Sequence, residues 1–210
     1  MARLEWGVTG ERVFETGVDR GVLYIPGQPG VPWNGLKAVR ESPSGGSPEP
    51  YYLDGMKYAN VATAEEFNAT LEAFSSPVEF AECDGSKQLA AGLFATQQPR
   101  KSFGLSYRTQ VGNDLNGFDG YKIHLVYNAL ATASGRANAT VSNSVDPMDL
   151  SWEITTRPPI ADGYRPTAHL VISTKDIPSL VLLDLEEALY GAIATTPSLP
   201  SQADIIAMLS

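Results

Sequence analysis

The chain has 210 residues, with 24 acidic against 15 basic side chains and a formal charge of −9, a length that suits one sizeable domain, or one with an embellishment. Its 43% hydrophobic and 19% charged composition is that of an ordinary soluble globular protein, and the acidic balance argues against a protein that grips nucleic acid by its phosphates. No run approaches the ~18 consecutive apolar residues of a membrane span, and the opening MARLEWGVTGERVFETGV lacks a signal peptide's apolar centre, so no membrane association and synthesis in the cytoplasm are expected.

Taken in chain order, Arg3 to Val8 alternates, with Leu4, Trp6 and Val8 on one side, and predicts an opening strand. Gly17 to Ile25 predicts a second. Pro26-Gly27-Gln28-Pro29-Gly30 breaks regular structure, because proline locks its φ and glycine admits positive φ. Val31 to Val39 predicts a short strand around an Asn34-Gly35 turn, and Ser42 to Pro50 (SPSGGSPEP) reads as a flexible, proline-punctuated loop. From Glu66 to Phe74, Phe67, Ala69, Leu71 and Ala73 share one face while Asn68, Thr70 and Glu72 take the other, the pattern of a half-buried strand. Residues 51 to 60 are expected to pair with it or to lead into it through a bend. Ser75-Ser76-Pro77 and Glu82-Cys83-Asp84-Gly85 read as turns, and Gly85 to Thr96 as a short helix on Leu89, Leu93 and Phe94, weakened by Gly92.

Phe103, Leu105 and Tyr107 define a strand running to Thr109, and Tyr121, Ile123, Leu125 and Tyr127 another, joined across the glycine- and Asx-rich Val111–Gly120 as a hairpin. That turn lacks the Asp-x-Asp-x-Asp-Gly spacing and terminal glutamate of a calcium loop. Ala137 to Ser142 and Leu150 to Thr156 predict further strands, the second stopped by Arg157-Pro158-Pro159, and Ala168, Leu170 and Ile172 mark a last one with His169 on its opposite face. The period then changes. Leu182, Leu185, Leu189 and Ile193 recur at helical spacing within Leu180–Ile193, and Ser201 with Asp204 forms a variant capping box for a terminal helix whose apolar side is Ile205, Ile206 and Leu209.

Chemistry-bearing motifs are missing. Cys83 has no cysteine partner and reads as a small core or turn residue. His124 and His169 each lack a second ligand at metal spacing and read as strand side chains, so no metal is expected. There is no phosphate loop, nucleophile elbow or dinucleotide fingerprint; no catalytic residue, no cofactor and no enzymatic activity are expected. Asn68-Ala-Thr and Asn138-Ala-Thr match a glycosylation acceptor but, without a secretion signal, read as polar strand residues.

The order and wording of several segments carry more than any motif does. YYLDGMKYANVATAEEFNATLEAFSSPVEFAECDG from Tyr51, FGLSYRT from Phe103, YKIHLVYNALATASGRANAT, DLSWEITTRP and LPSQADIIAMLS together resemble the major tail tube protein of long-tailed, non-contractile phages that infect actinobacteria, over nearly the whole chain. The resemblance implies a mainly β, tail-tube-like sandwich or barrel with one or two short helices, a single domain over 1–210, a flexible inter-strand loop at about 40–50 and a C-terminal helical region at about 178–210. It further implies hexameric rings stacked into a tube in the virion tail, assembled in the host cytoplasm, with tape measure, tail terminator and distal tail proteins as partners and DNA passing without specific binding. A loop reaching a neighbouring subunit is then expected at Trp33, Asn34, Ser44, Gly45, Gly46, Pro48 and Tyr51. An acidic lumen wall would repel the passing polyanion, although the same charge serves solubility. The alternatives are a monomeric β-sandwich that stacks a carbohydrate on Trp33, Tyr51 and Tyr52, or another ring-forming tail part such as a tail terminator.

Overall fold

A computed structural model describes residues 3–138, 140, 147–161 and 163–210. Eight strands come first: β1 (Val13–Tyr24), β2 (Val31–Pro32), β3 (Leu36–Glu41), β4 (Ser44–Gly45), β5 (Pro48–Leu53), β6 (Met56–Ala62), β7 (Glu65–Glu66) and β8 (Asn68–Ala73). A 3-10 turn at Val78–Glu82 precedes β9 (Lys87–Ala90), β10 (Leu93–Ala95), β11 (Phe103–Asn113), β12 (Gly120–Ala131), β13 (Leu150–Thr156) and β14 (His169–Ser173). The helices α1 (Ser179–Tyr190) and α2 (Gln202–Leu209) follow. The fold is mainly β with its helices at the C-terminal end, as the alternation and the change of period predict.

One antiparallel sheet carries the order β2-β1-β11-β12-β13-β8-β3, with β14 also on β12. The far edge of β12 is shared: β14 pairs with Lys122–Val126 and β13 with Ala129–Ala131. Between those stretches Asn128 takes a φ of +49°, and the register to β11 slips from Leu105↔Val126 to Phe103↔Ala129. This bulge inverts the side-chain parity. Ile123, Leu125 and Tyr127 face one core, while Val126, Ala129 and Ala131 face the other.

The sheet is buried on both sides because it curls. β1 and β3 are not neighbours in the strand order, yet a Cβ on Gly21 of β1 would meet Leu36 Cδ2 of β3 at 2.6 Å. Inside the curl, Leu23, Leu71, Phe103, Leu105, Trp152 and Ile154 converge on Phe80 from the 3-10 turn. The Phe80 ring lies 4.7 Å from Trp33, 5.1 Å from Trp152 and 5.3 Å from Phe103, tilted or edge-on, as aromatic quadrupoles prefer. Outside the curl, Leu185 and Leu189 of α1 and Ile205 of α2 cover Val22, Tyr24, Ile123, Leu125 and Ile172. An ionic clasp fastens α1 to the sheet. Arg108 is bidentate to Asp19 at 2.8 and 3.0 Å, lies 4.3 Å over the Tyr121 ring and approaches Glu186 of α1, which accepts from the Tyr121 hydroxyl at 2.8 Å.

Several expectations hold at the level of single residues. Along β8 burial alternates, with Ala69, Leu71 and Ala73 inside; β11 and β12 form the expected hairpin; β13 spans Leu150–Thr156. Ser201 caps α2 in both directions with Asp204, and Cys83 is buried beside the 3-10 turn. The Asn34-Gly35 turn separates β2 from β3, which pair with β1 and β8 rather than with each other.

Others are corrected. Arg3–Val8 is not a strand, since alternation without a neighbouring strand to pair with leaves the backbone unsupported; Leu4 and Trp6 stand exposed and the first strand starts at Val13. Gly85–Thr96 is not a helix but the β9–β10 hairpin, whose Ala91-Gly92 turn uses a φ of +76° at Gly92. Gly191, with a φ of +84°, ends α1 before Ile193, which lies in solvent. Of the apolar side expected on α2, only Ile205 is buried. Residues 139 and 141–146, within and beyond the predicted strand Ala137–Ser142, lie outside the described residues.

The largest correction concerns the segment around 40–50. Ser42–Pro50 is not an irregular loop: it contains β4 and the start of β5. β5 pairs with β6 across Asp54-Gly55, rather than residues 51–60 pairing with 66–74. Both turn residues have positive φ, +52° and +79°, the combination whose twist matches paired strands in a two-residue hairpin.

Candidate functional site

Two features stand apart from the sheet's own packing, an exposed arm and a polar cluster at its root. The arm runs from β4 to β7. Its neck is the short β4–β7 pair, Ser44 opposite Glu66 and Gly45 opposite Glu65, braced by Asn68 Nδ2 donating to Ser44 Oγ at 2.7 Å. Gly45 has a φ of +82°, and a Cβ there would meet the Ala64 carbonyl oxygen at 2.5 Å, so the neck requires glycine. Its blade is the β5–β6 hairpin, in which every residue but Ala59 is exposed. Tyr51, Tyr52, Leu53, Met56, Tyr58 and Val61 all project from it, Tyr58 at 77% and Met56 at 73% exposure. Among the described residues neither face of the blade is covered, and as a two-stranded sheet it has two open edges.

The residues expected at a subunit contact therefore divide. Ser44, Gly45, Gly46, Pro48 and Tyr51 lie in the arm. Asn34 sits in its exposed turn apart from the arm. Trp33 is corrected: it is 3% exposed, packed against Phe80 and Trp152, with its indole N–H donating to the Ser75 carbonyl at 2.8 Å. An aromatic platform of Trp33, Tyr51 and Tyr52 for a sugar is thereby undone, because the indole face lies inside the curl.

At the root, Glu41 closes β3 just before the arm and Phe67 follows β7 just after it. Glu41 reaches both histidines, which sequence reasoning kept apart, and Phe67 reaches His169. His124 Nδ1 lies 3.1 Å from His169 Nε2, and Glu41 Oε1 lies 3.7 Å from His124 Nδ1 and 4.0 Å from His169 Nε2. Phe67 packs on the His169 ring at 4.3 Å, and Tyr107 stacks on His124 at 4.5 Å while donating its hydroxyl to Glu41 Oε1 at 2.9 Å. The register explains the meeting: Tyr107 pairs with His124, and Val126, one pleat along on the same face, pairs with His169. The curl then brings Glu41 over from β3.

Proton positions follow from the partners. Thr109 Oγ1 donates to Glu15 Oε1 at 2.5 Å, so its 3.0 Å contact with His124 Nε2 is one in which the imidazole N–H donates. That leaves a lone pair on Nδ1, facing His169 and Glu41. Burial pushes both imidazoles down, with Glu15 and Glu41 opposing it at His124 and Glu41 at His169, where the value falls to about 4. Burial pushes the Tyr107 phenol up, and Glu41 adds to this. Both imidazoles of the cluster are thus neutral at neutral pH.

No protein-family model and no curated protein matches the chain. Among solved structures, a chain from the cryo-EM structure of the anti-feeding prophage baseplate, 6-fold symmetrised, is similar over 82% of this chain and 99% of that one, at 9% identity and a TM-score of 0.40. So loose a likeness leaves function to the residues themselves. Among the described residues, no helix is long and apolar enough to cross a membrane.

Proposed function

We propose that this protein is a structural component of a phage tail and not an enzyme: a tail tube subunit that assembles with its own copies into stacked hexameric rings through which the genome passes. The observation that carries the reading is the arm. A hairpin bearing six large apolar side chains, with two open edges and no covering element among the described residues, is an aggregation hazard in a monomer and an attachment device in an assembly. Its apolar residues lie at the start of the stretch from Tyr51, one of the segments that together resemble tail tube proteins. In this reading the arm lies on the next subunit or ring, where the tyrosines bury large area at small entropic cost and the strand edges find partners. Tape measure, tail terminator and distal tail proteins meet the two ends of the tube, and an acidic subunit does not hold the passing DNA.

Negative-stain microscopy with light scattering over a concentration series tests this. The full chain is expected to give rings or hollow tubes, and a chain in which residues 47–63 are replaced by a short Gly-Ser linker is expected to stay monomeric and to unfold as cooperatively as the parent. A full chain that remains monomeric up to its solubility limit, or an arm-less chain that assembles equally well, overturns the reading.

A further inference from the structure

We propose that Glu41, His124 and His169 form a binding site for one transition-metal ion of the zinc type, placed where the arm joins the sheet. Their donor atoms all lie within 4.8 Å of one another. The triangle they make has edges of 3.1, 3.7 and 4.0 Å, and the point equidistant from its corners lies about 2.1 Å from each, within the zinc–nitrogen and zinc–oxygen range of about 2.0–2.2 Å. Two imidazoles and one carboxylate suit zinc and its neighbours in the first transition row, and they do not suit magnesium or calcium, which take oxygen.

The surroundings are those of a supported ligand set rather than a chance meeting. His124 presents the correct lone pair because its other nitrogen donates to Thr109, which is itself held by Glu15. Glu41 is aimed by the Tyr107 hydroxyl, and His169 is held between Phe67 and His124. Such outer partners orient ligands and raise their affinity. Three protein ligands leave a coordination position for water, and His169 borders a surface cleft with Glu66, Phe67 and Arg165 that gives access. An ion here takes the place of the His124–His169 hydrogen bond. It ties β3 directly to β12 and β14, strands that β3 does not pair with, at the point where the chain leaves for the arm. The site is independent of the assembly reading.

The test uses the untagged full chain, stripped with a chelator and titrated with zinc chloride by calorimetry and with cobalt(II) by visible absorption. One ion per chain is expected, with the d–d spectrum of low-coordinate cobalt on imidazole and a melting temperature that rises with zinc concentration. Glu41→Gln and His169→Gln are each expected to weaken binding by more than the ~10–100-fold typical of losing an outer partner, and Thr109→Val by about that factor. Glu41 is exposed, so Glu41→Gln keeps the fold even if the histidine variant does not. A folded chain that gives neither zinc heat nor a cobalt spectrum, or a Glu41→Gln variant that binds as the parent does, overturns the site and leaves a hydrogen-bonded imidazole pair.

Discussion

β8 and the β5–β6 hairpin are both strands that carry apolar side chains, and they differ completely in fate. β8 alternates apolar and polar side chains and buries Ala69, Leu71 and Ala73 between β3 and β13, whereas the hairpin sets Tyr51, Tyr52 and Leu53 one after another and leaves its tyrosines exposed. The contrast teaches that alternation specifies a strand with one apolar face, while the partner for that face is supplied elsewhere. For β8 it is the inside of the curl; for the arm, in the reading proposed above, it is another copy.

The comparison is sharpest under mutation. Phe80→Ala, which empties the centre of three aromatic contacts, is expected to cost about 3–5 kcal/mol in denaturant unfolding. Arg108→Ala leaves Asp19 without its bidentate partner and Glu186 with only the 4.0 Å contact to Arg20, and is expected to cost about 3 kcal/mol, read by the same method. Acidification comes next. Between pH 6.5 and about 4 the unfolded chain takes up a proton on His169 that the folded chain, with its depressed value, refuses. This contribution to stability is therefore complete above pH 6.5 and falls by about 3 kcal/mol as pH drops through that window. His124 acts in the same direction, and Glu41, Glu15 and Lys122 are the charges that face the pair. His169→Gln is expected to flatten that part of the pH profile. Ser201→Ala, which removes the side-chain half of the α2 capping box and keeps the Ser201 N–H bond to Asp204, is expected to cost about 1 kcal/mol. Tyr58→Ser in the arm is expected to change monomer stability by no more than about 0.5 kcal/mol while reducing assembly measured by light scattering. If Tyr58→Ser instead destabilised the monomer as much as Phe80→Ala, the arm would be packed by its own chain and the comparison would fail.

Local signals were legible residue by residue. The face of β8, the β11–β12 hairpin, the extent of β13 and the Ser201–Asp204 cap all follow from patterns a few residues long, because pleat, helical repeat and capping act over that range. Arg3–Val8 is misread because its alternation finds no strand to pair with, and two further segments because two local signals compete. Gly85–Thr96 has helical composition, but Gly92 at positive φ turns it into a hairpin. Ser42–Pro50 has loop composition, but Asp54-Gly55 further on folds it back into an arm.

By itself, then, the sequence determined an acidic, mainly β chain with helices at its C-terminal end, and which side chains share a face within each strand. Tertiary structure alone decided that the Trp33 indole goes inside and the Tyr51 and Tyr52 rings outside, and that His124 and His169, 45 residues apart, meet beside Glu41. The physical reason is one of range. Face and cap are settled by neighbours in sequence, whereas strand order, the bulge at Asn128 and the curl that carries β3 across the sheet depend on pairings between distant segments.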